Sequence, residues 1–188
     1  MGTKHNVAVF DDELSQRMVV LRDVLGETYN VFGSSYFTKA SLDAGDLGVF
    51  VSPDRVIKSK PEAIITDLIL IPSKMRHSKR VPSWANDWTG GVKLLRQLYQ
   101  YSERVPDGAS FTRSVFVVST AATDAKEAAS LGLTGQLTML SRRFRLAIRC
   151  FYWNHLEGDR SGARQAFRTA MHEAVESRDP KPMFTWGA

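Results

Sequence analysis

Three short apolar runs each end in residues able to do chemistry. Asn6–Phe10 (NVAVF) runs into Asp11-Asp12-Glu13, Ala63–Thr66 (AIIT) into Asp67, and Val115–Val118 (VFVV) into Ser119-Thr120. If these runs are neighbouring strands of one sheet, their ends converge. Several carboxylates brought together repel one another, so the cluster needs a compensating charge. Mg²⁺ supplies it: a hard cation that keeps its waters and takes one or two carboxylates as ligands. A phosphoryl group would complete the metal's shell, and the Ser119 hydroxyl is placed to hydrogen-bond one of its oxygens. An aspartate held in line is itself a nucleophile that forms an aspartyl-phosphate. The plainer roles are helix capping for Asp11 and Asp12 and turn formation for Ser119 and Thr120.

Other reactive side chains offer less. Cys150 stands beside Phe151 with no nearby base and is expected in the core. His77 and His155 have no cluster of ligand types at metal spacing. Arg142, Arg143, Arg145 and Arg149 are expected together at the start of one helix, a basic group able to contact nucleic acid with a steep salt dependence.

The elements that must position these residues are readable from periodicity. Leu14, Met18, Leu21 and Leu25 predict a first helix, and Tyr29–Phe32 a second strand before Gly33. Tyr36–Leu42 reads as a weak helix, and Gly48–Lys58 as a hairpin or a strand-loop-helix around Ser-Pro-Asp. Pro72–Trp88 is long, polar and basic, with Lys74, Arg76, Lys79 and Arg80 and the covering aromatics Trp84 and Trp88. Gly91–Tyr101 predicts a helix with Val92, Leu95, Leu98 and Tyr99 on one side. Asp124–Leu131 predicts another, closed by Gly132. Gln136–Thr138 is expected as a weak fifth strand and Arg142–Leu156 as an aromatic-rich helix. The final helix is marked by Ala163, Ala166, Phe167, Ala170, Met171, Ala174 and Val175, and Pro180 closes it. Strands alternating with helices imply βαβ units and a parallel sheet, with ligand sites along the edge where the strands end.

Composition sets the bounds. At 188 residues with 43% hydrophobic content the chain suits one domain with an appendage. The net charge of +5 is uneven: −3 over residues 1–72, +3 over 73–88, +1 over 89–140 and +4 over 141–188. A basic tail of this kind binds nucleic acid or an acidic partner, or is a solvated helix face. A single cysteine, no signal-like leader and no long apolar run predict a cytoplasmic protein with no membrane span.

Taken in order, VAVFDDE, IITDL, a Gly-Gly before a helix, VVST and LGLTG resemble the receiver domains of response regulators, over roughly residues 5–156. The resemblance implies a flavodoxin-like, doubly wound, five-stranded parallel sheet with an extra C-terminal helix. It divides the chain into a receiver-like domain over 1–157, carrying a basic insert at 72–89, and a helical extension over 158–188. It implies that Asp11, Asp12 and Asp67 bind Mg²⁺ together with the backbone carbonyl of Ile69. Asp67 would then be the phosphoacceptor and Ser119 the switch hydroxyl. The implied partners are a histidine kinase or phosphotransfer protein and a downstream protein, with a homodimer as a further option. Four features depart from the family. Its lysine after strand 5 is absent from Gln136–Leu140, Leu140 stands in place of the proline that follows, Gln136 takes its aromatic switch position, and the stretch between Asp67 and Gly90-Gly91 is longer than usual. A basic residue of the insert is one replacement for that lysine.

The function expected is therefore a stand-alone receiver in two-component phosphorelay signalling. It would work through phosphorylation of Asp67 or through phosphorylation-independent protein–protein interaction. No enzymatic turnover is expected beyond self-phosphorylation and dephosphorylation. The competing readings are a haloacid-dehalogenase-like phosphohydrolase, which lacks its Asp-x-Asp pair here, and a basic nucleic-acid-binding adaptor.

Overall fold

The computed structural model describes residues 4–11, 14–34, 53–70, 89–120, 122, 124–158, 162–177 and 180–186. In chain order the elements are β1 (His5–Phe10), α1 (Leu14–Leu25), β2 (Tyr29–Ser34), α2 (Pro53–Lys58), β3 (Ala63–Thr66), α3 (Gly90–Ser102), a 3₁₀ turn (Pro106–Ser110) and β4 (Ser114–Ser119). They continue with α4 (Ala125–Ser130), α5 (Leu133–Phe144), β5 (Ala147–Tyr152), α6 (Trp153–Gly158), α7 (Ala163–Glu176) and β6 (Met183–Trp186).

The six strands form one parallel sheet in the order β2-β1-β3-β4-β5-β6. Its first five follow the flavodoxin-like order 2-1-3-4-5. The expected fold class holds, with a sixth strand added at the β5 edge. Helices cover both faces, so β3, β4 and the second half of β1 are buried on both sides and read as short, mostly apolar runs, while β6 at the edge is partly exposed. Alternate residues feed two cores. Ala8, Phe10, Ile64, Val115, Val117, Ile148 and Cys150 meet Leu95, Leu98 and Tyr99 of α3 and Leu137 of α5. Val7, Val9, Ile65, Phe116, Val118 and Phe151 meet Leu21 of α1 and Phe167 and Met171 of α7.

The chain from Leu133 to Gly158 corrects the sequence reading. Gln136–Thr138 is not a strand but the middle of α5, and Arg142–Leu156 is not one helix. Leu133, Leu137, Leu140 and Phe144 are buried at helical spacing and dock α5 on the core. Arg145 then adopts a left-handed conformation at φ 55°, ending the helix. The apolar run Ala147–Tyr152 pairs with β4 on one side and with β6 on the other. Arg149 hid this strand from a reading based on charge. The structure accommodates it with its guanidinium carbon 5.8 Å from the Phe116 ring centre.

The last helix covers its own sheet. Phe167 is fully buried, with edge contacts to Phe116 at 5.5 Å and Phe151 at 5.0 Å. Beyond Pro180 the chain forms β6, where Trp186 stacks on Tyr152 at 5.5 Å and donates from Nε1 to Thr134 Oγ1 at 3.2 Å. Among the described residues, no helix is long and apolar enough to cross a membrane.

Candidate functional site

The chain leaves β1 toward β2 on one side and returns to β3 on the other. The crevice above β1 and β3 is therefore the topological switch point, where such sheets bind ligands. Phe10 is in register with Thr66, so Asp11 and Asp67 leave the sheet from adjacent strands, and the Asp67 amide donates to the Phe10 carbonyl at 2.9 Å. Both aspartates are only 1% exposed. On the next strand, Thr66 is in register with Val117, so the chain after Ser119 rises beside Asp67.

The Asp67 carboxylate is held at both oxygens. Oδ1 accepts from the Leu68 amide at 2.5 Å and from the Thr120 amide at 3.3 Å. Oδ2 accepts from the Thr120 hydroxyl at 2.8 Å. Hydrogen bonds to a carboxylate are stronger than neutral ones and fix its orientation. The backbone beneath is also fixed. The Thr66 hydroxyl donates to the Asp67 carbonyl at 2.8 Å, and the Gly91 amide donates to the Leu68 carbonyl at 2.9 Å. A Cβ on Gly91 would lie 2.0 Å from the Asp67 carbonyl oxygen, so the start of α3 approaches this loop as only glycine permits.

Of the predicted residues, the structure brings Asp11 and Asp67 to one edge. Ser119 is buried at the end of β4, and its Oγ accepts from the Ala122 amide at 3.3 Å. The hydroxyl that reaches Asp67 is that of Thr120, one residue on. Strand alternation stops at Ser119, so the turn decides where Thr120 points. Ile69 is half-buried in the loop after β3. Asp12 lies outside the described residues, as do Lys74, Arg76, His77, Lys79, Arg80, Trp84 and Trp88.

Sequence reasoning missed Arg17. It projects from the apolar stripe of α1 and is 8% exposed. Its Nε lies 3.8 Å from Asp11 Oδ2, its Nη1 pairs with Glu157 Oε1 of α6, and its guanidinium carbon lies 4.5 Å from the Trp153 ring centre. An arginine four residues before Leu21 shares its face, and such a buried charge requires a partner. That placement was the available signal.

With β5 reassigned, the residues after the fifth strand are Trp153, Asn154 and His155, again without a lysine. The donor set suits Mg²⁺: two buried carboxylates on adjacent strand ends provide hard oxygen ligands. Among the described residues, which exclude Asp12, no three His, Cys, Asp or Glu side chains group to hold a metal.

The four arginines do not form one basic surface. Arg142 and Arg143 are in the last turn of α5, Arg145 caps it, and Arg149 lies within the sheet. Arg143 is engaged by Glu103 through two bonds of 2.8 and 3.0 Å.

No family model matches the chain, and no curated protein matches it. Among solved structures, it is similar to the signal receiver domain of a protein described as a Luxo repressor, from Vibrio parahaemolyticus. That likeness has 14% identity and a TM-score of 0.49, and covers 94% of this chain and 93% of that one.

Proposed function

We propose that this chain is a signal-receiving module whose phosphoacceptor is Asp67. One observation carries the reading. A buried aspartate ends β3 at the switch point, oriented by the Leu68 and Thr120 amides and the Thr120 hydroxyl, beside a second buried aspartate on the neighbouring strand. Fixing a carboxylate in this way lowers the entropic cost of in-line attack. One Asp67 oxygen attacks the phosphorus of the donor. The new O–P bond forms as the donor's bond to phosphorus breaks, and the leaving group departs with that electron pair. Mg²⁺, bound by Asp11 and Asp67, would neutralise charge on the phosphoryl oxygens. Thr120, already donating to Asp67, has a hydroxyl able to follow the phosphoryl group and report its arrival to the turn after β4. The donor is a histidine kinase or phosphotransfer protein, and the output is a protein–protein contact.

The test is intact-mass measurement after incubation with Mg²⁺ and acetyl phosphate. The expected result is a single Mg²⁺-dependent phosphoryl adduct on the wild-type chain and none on Asp67→Asn. An adduct of equal yield on Asp67→Asn refutes the assignment of the acceptor. Steady release of phosphate from a generic phosphate ester would instead make the chain a phosphohydrolase.

A further inference from the structure

Arg17 is a buried cation set between the pocket and α6. One end of its guanidinium faces Asp11 of the pocket, 3.8 Å away, and the other pairs with Glu157, which is half-exposed on α6. Trp153, at the start of α6, lies against its face at 4.5 Å. Arg17 thus joins the end of β1 to a helix more than a hundred residues later. Resting on the reading of the pocket as a cation site, we propose that Arg17 sets the pocket's divalent-cation affinity. Without a divalent cation it is shared between Asp11, 3.8 Å from its Nε, and Glu157; when one binds, it leaves Asp11 and stays with Glu157 and Trp153.

The physical reasoning is competition for one carboxylate. A positive charge within about 4–6 Å of an aspartate lowers its affinity for a proton by roughly one to three pKa units. The same field opposes a divalent cation at Asp11 more strongly, because the repulsion scales with charge. Once the cation has neutralised Asp11, the balance of attraction on the guanidinium favours Glu157. The planar fork of arginine suits this exchange, since it presents donors to two carboxylates at once. Glu157 strengthens the pocket by drawing Arg17 away from Asp11.

The experiment is calorimetric titration of Mg²⁺ into the full chain, with Arg17→Gln, Glu157→Gln and the double variant alongside. Arg17→Gln is expected to bind Mg²⁺ at least about tenfold more tightly than wild type. Glu157→Gln is expected to bind more weakly, because it leaves Arg17 to Asp11. In the double variant the Glu157 substitution is expected to add nothing to the effect of Arg17→Gln. A Mg²⁺-induced change in tryptophan emission, lost in Trp153→Phe and in Arg17→Gln, is expected to report the movement. Should Arg17→Gln fail to fold, Arg17→Lys replaces it, since a lysine lacks the planar fork that presents donors to both carboxylates from opposite ends; the effect of Glu157→Gln is then reduced in that background, and an undiminished effect overturns the inference. Unchanged affinity in Arg17→Gln, with wild type binding Mg²⁺ normally, overturns the inference alone. So does a Glu157→Gln effect that persists in the double variant. Absence of Mg²⁺ binding in every variant overturns the cation-site reading and this inference with it.

Discussion

Gly91 and Gly135 lie in the first turns of α3 and α5, and alanine at each is expected to have opposite effects. Helix propensity alone favours alanine at both, by up to ~1 kcal/mol. At Gly135 nothing lies within 4 Å of the added Cβ, so Gly135→Ala is expected to stabilise by ~0.5–1 kcal/mol. At Gly91 the Cβ meets the Asp67 carbonyl oxygen at 2.0 Å, the Asp67 carbonyl carbon at 3.0 Å and Leu68 Cα at 3.1 Å. All three are backbone atoms, so no side chain can rotate aside. The start of α3 must retreat, stretching the Gly91–Leu68 hydrogen bond of 2.9 Å. Overpacking costs ~1–3 kcal/mol and the weakened bond ~0.5–1.5 kcal/mol. Net of the propensity gain, Gly91→Ala is expected to destabilise by ~1–3 kcal/mol. Urea unfolding followed by circular dichroism measures both free energies, and in thermal unfolding, at ~2–4 °C per kcal/mol, the two melting temperatures should separate clearly. Because the displaced carbonyl belongs to Asp67, Gly91→Ala should also slow formation of the phosphoryl adduct, while Gly135→Ala leaves it unchanged. The reasoning is refuted if Gly91→Ala is as stable as Gly135→Ala, or if both lower stability equally.

Two further outcomes follow from the cores and their buried acids. Phe167→Ala removes a fully buried ring packed against Phe116 and Phe151; it should cost ~3–5 kcal/mol in urea unfolding, and a loss below ~1 kcal/mol would mean that α7 is not docked as described. Burial raises the Cys150 thiol well above its ordinary 9.0 and the Tyr99 hydroxyl above 10.0, and pushes Tyr152 up to about 12. Above these ordinary values the unfolded chain has lost protons that the folded chain still holds, so stability should fall as pH rises from about 9 upward. Urea midpoints between pH 7 and 11 check this. Cys150→Ala should flatten the first part of the decline, and native Cys150 should react with a thiol reagent only as fast as the protein opens. A midpoint constant to pH 11 would refute the assignment.

The first half of the site was legible because the strands that carry it are buried on both faces. NVAVF and AIIT are short, mostly apolar and stopped by acids, so their ends are unambiguous, and with them the positions of Asp11 and Asp67. The region after Gly132 was harder. Gln136-Leu137-Thr138 has strand-like composition over three residues, but Leu133, Leu137, Leu140 and Phe144 share one helical face over twelve. Arg149 broke the apolar pattern of β5 by composition alone. The structure spreads its guanidinium near the Phe116 ring.

Taken by itself, the sequence determined the alternation of strands and helices, the class of sheet and the acids at the strand ends. These are local properties, written in periodicities of two and 3.6 residues. The tertiary structure alone decided which strand ends meet. It selected Thr120 beside Ser119 as the hydroxyl on Asp67, added β6 to the β5 edge, and brought Arg17 to Glu157 across 140 residues of chain. Such pairings depend on how elements pack and turn, and no local pattern encodes them. A lone arginine on an apolar stripe announces that it needs a partner, but only the folded chain shows that Asp11 and Glu157 share it.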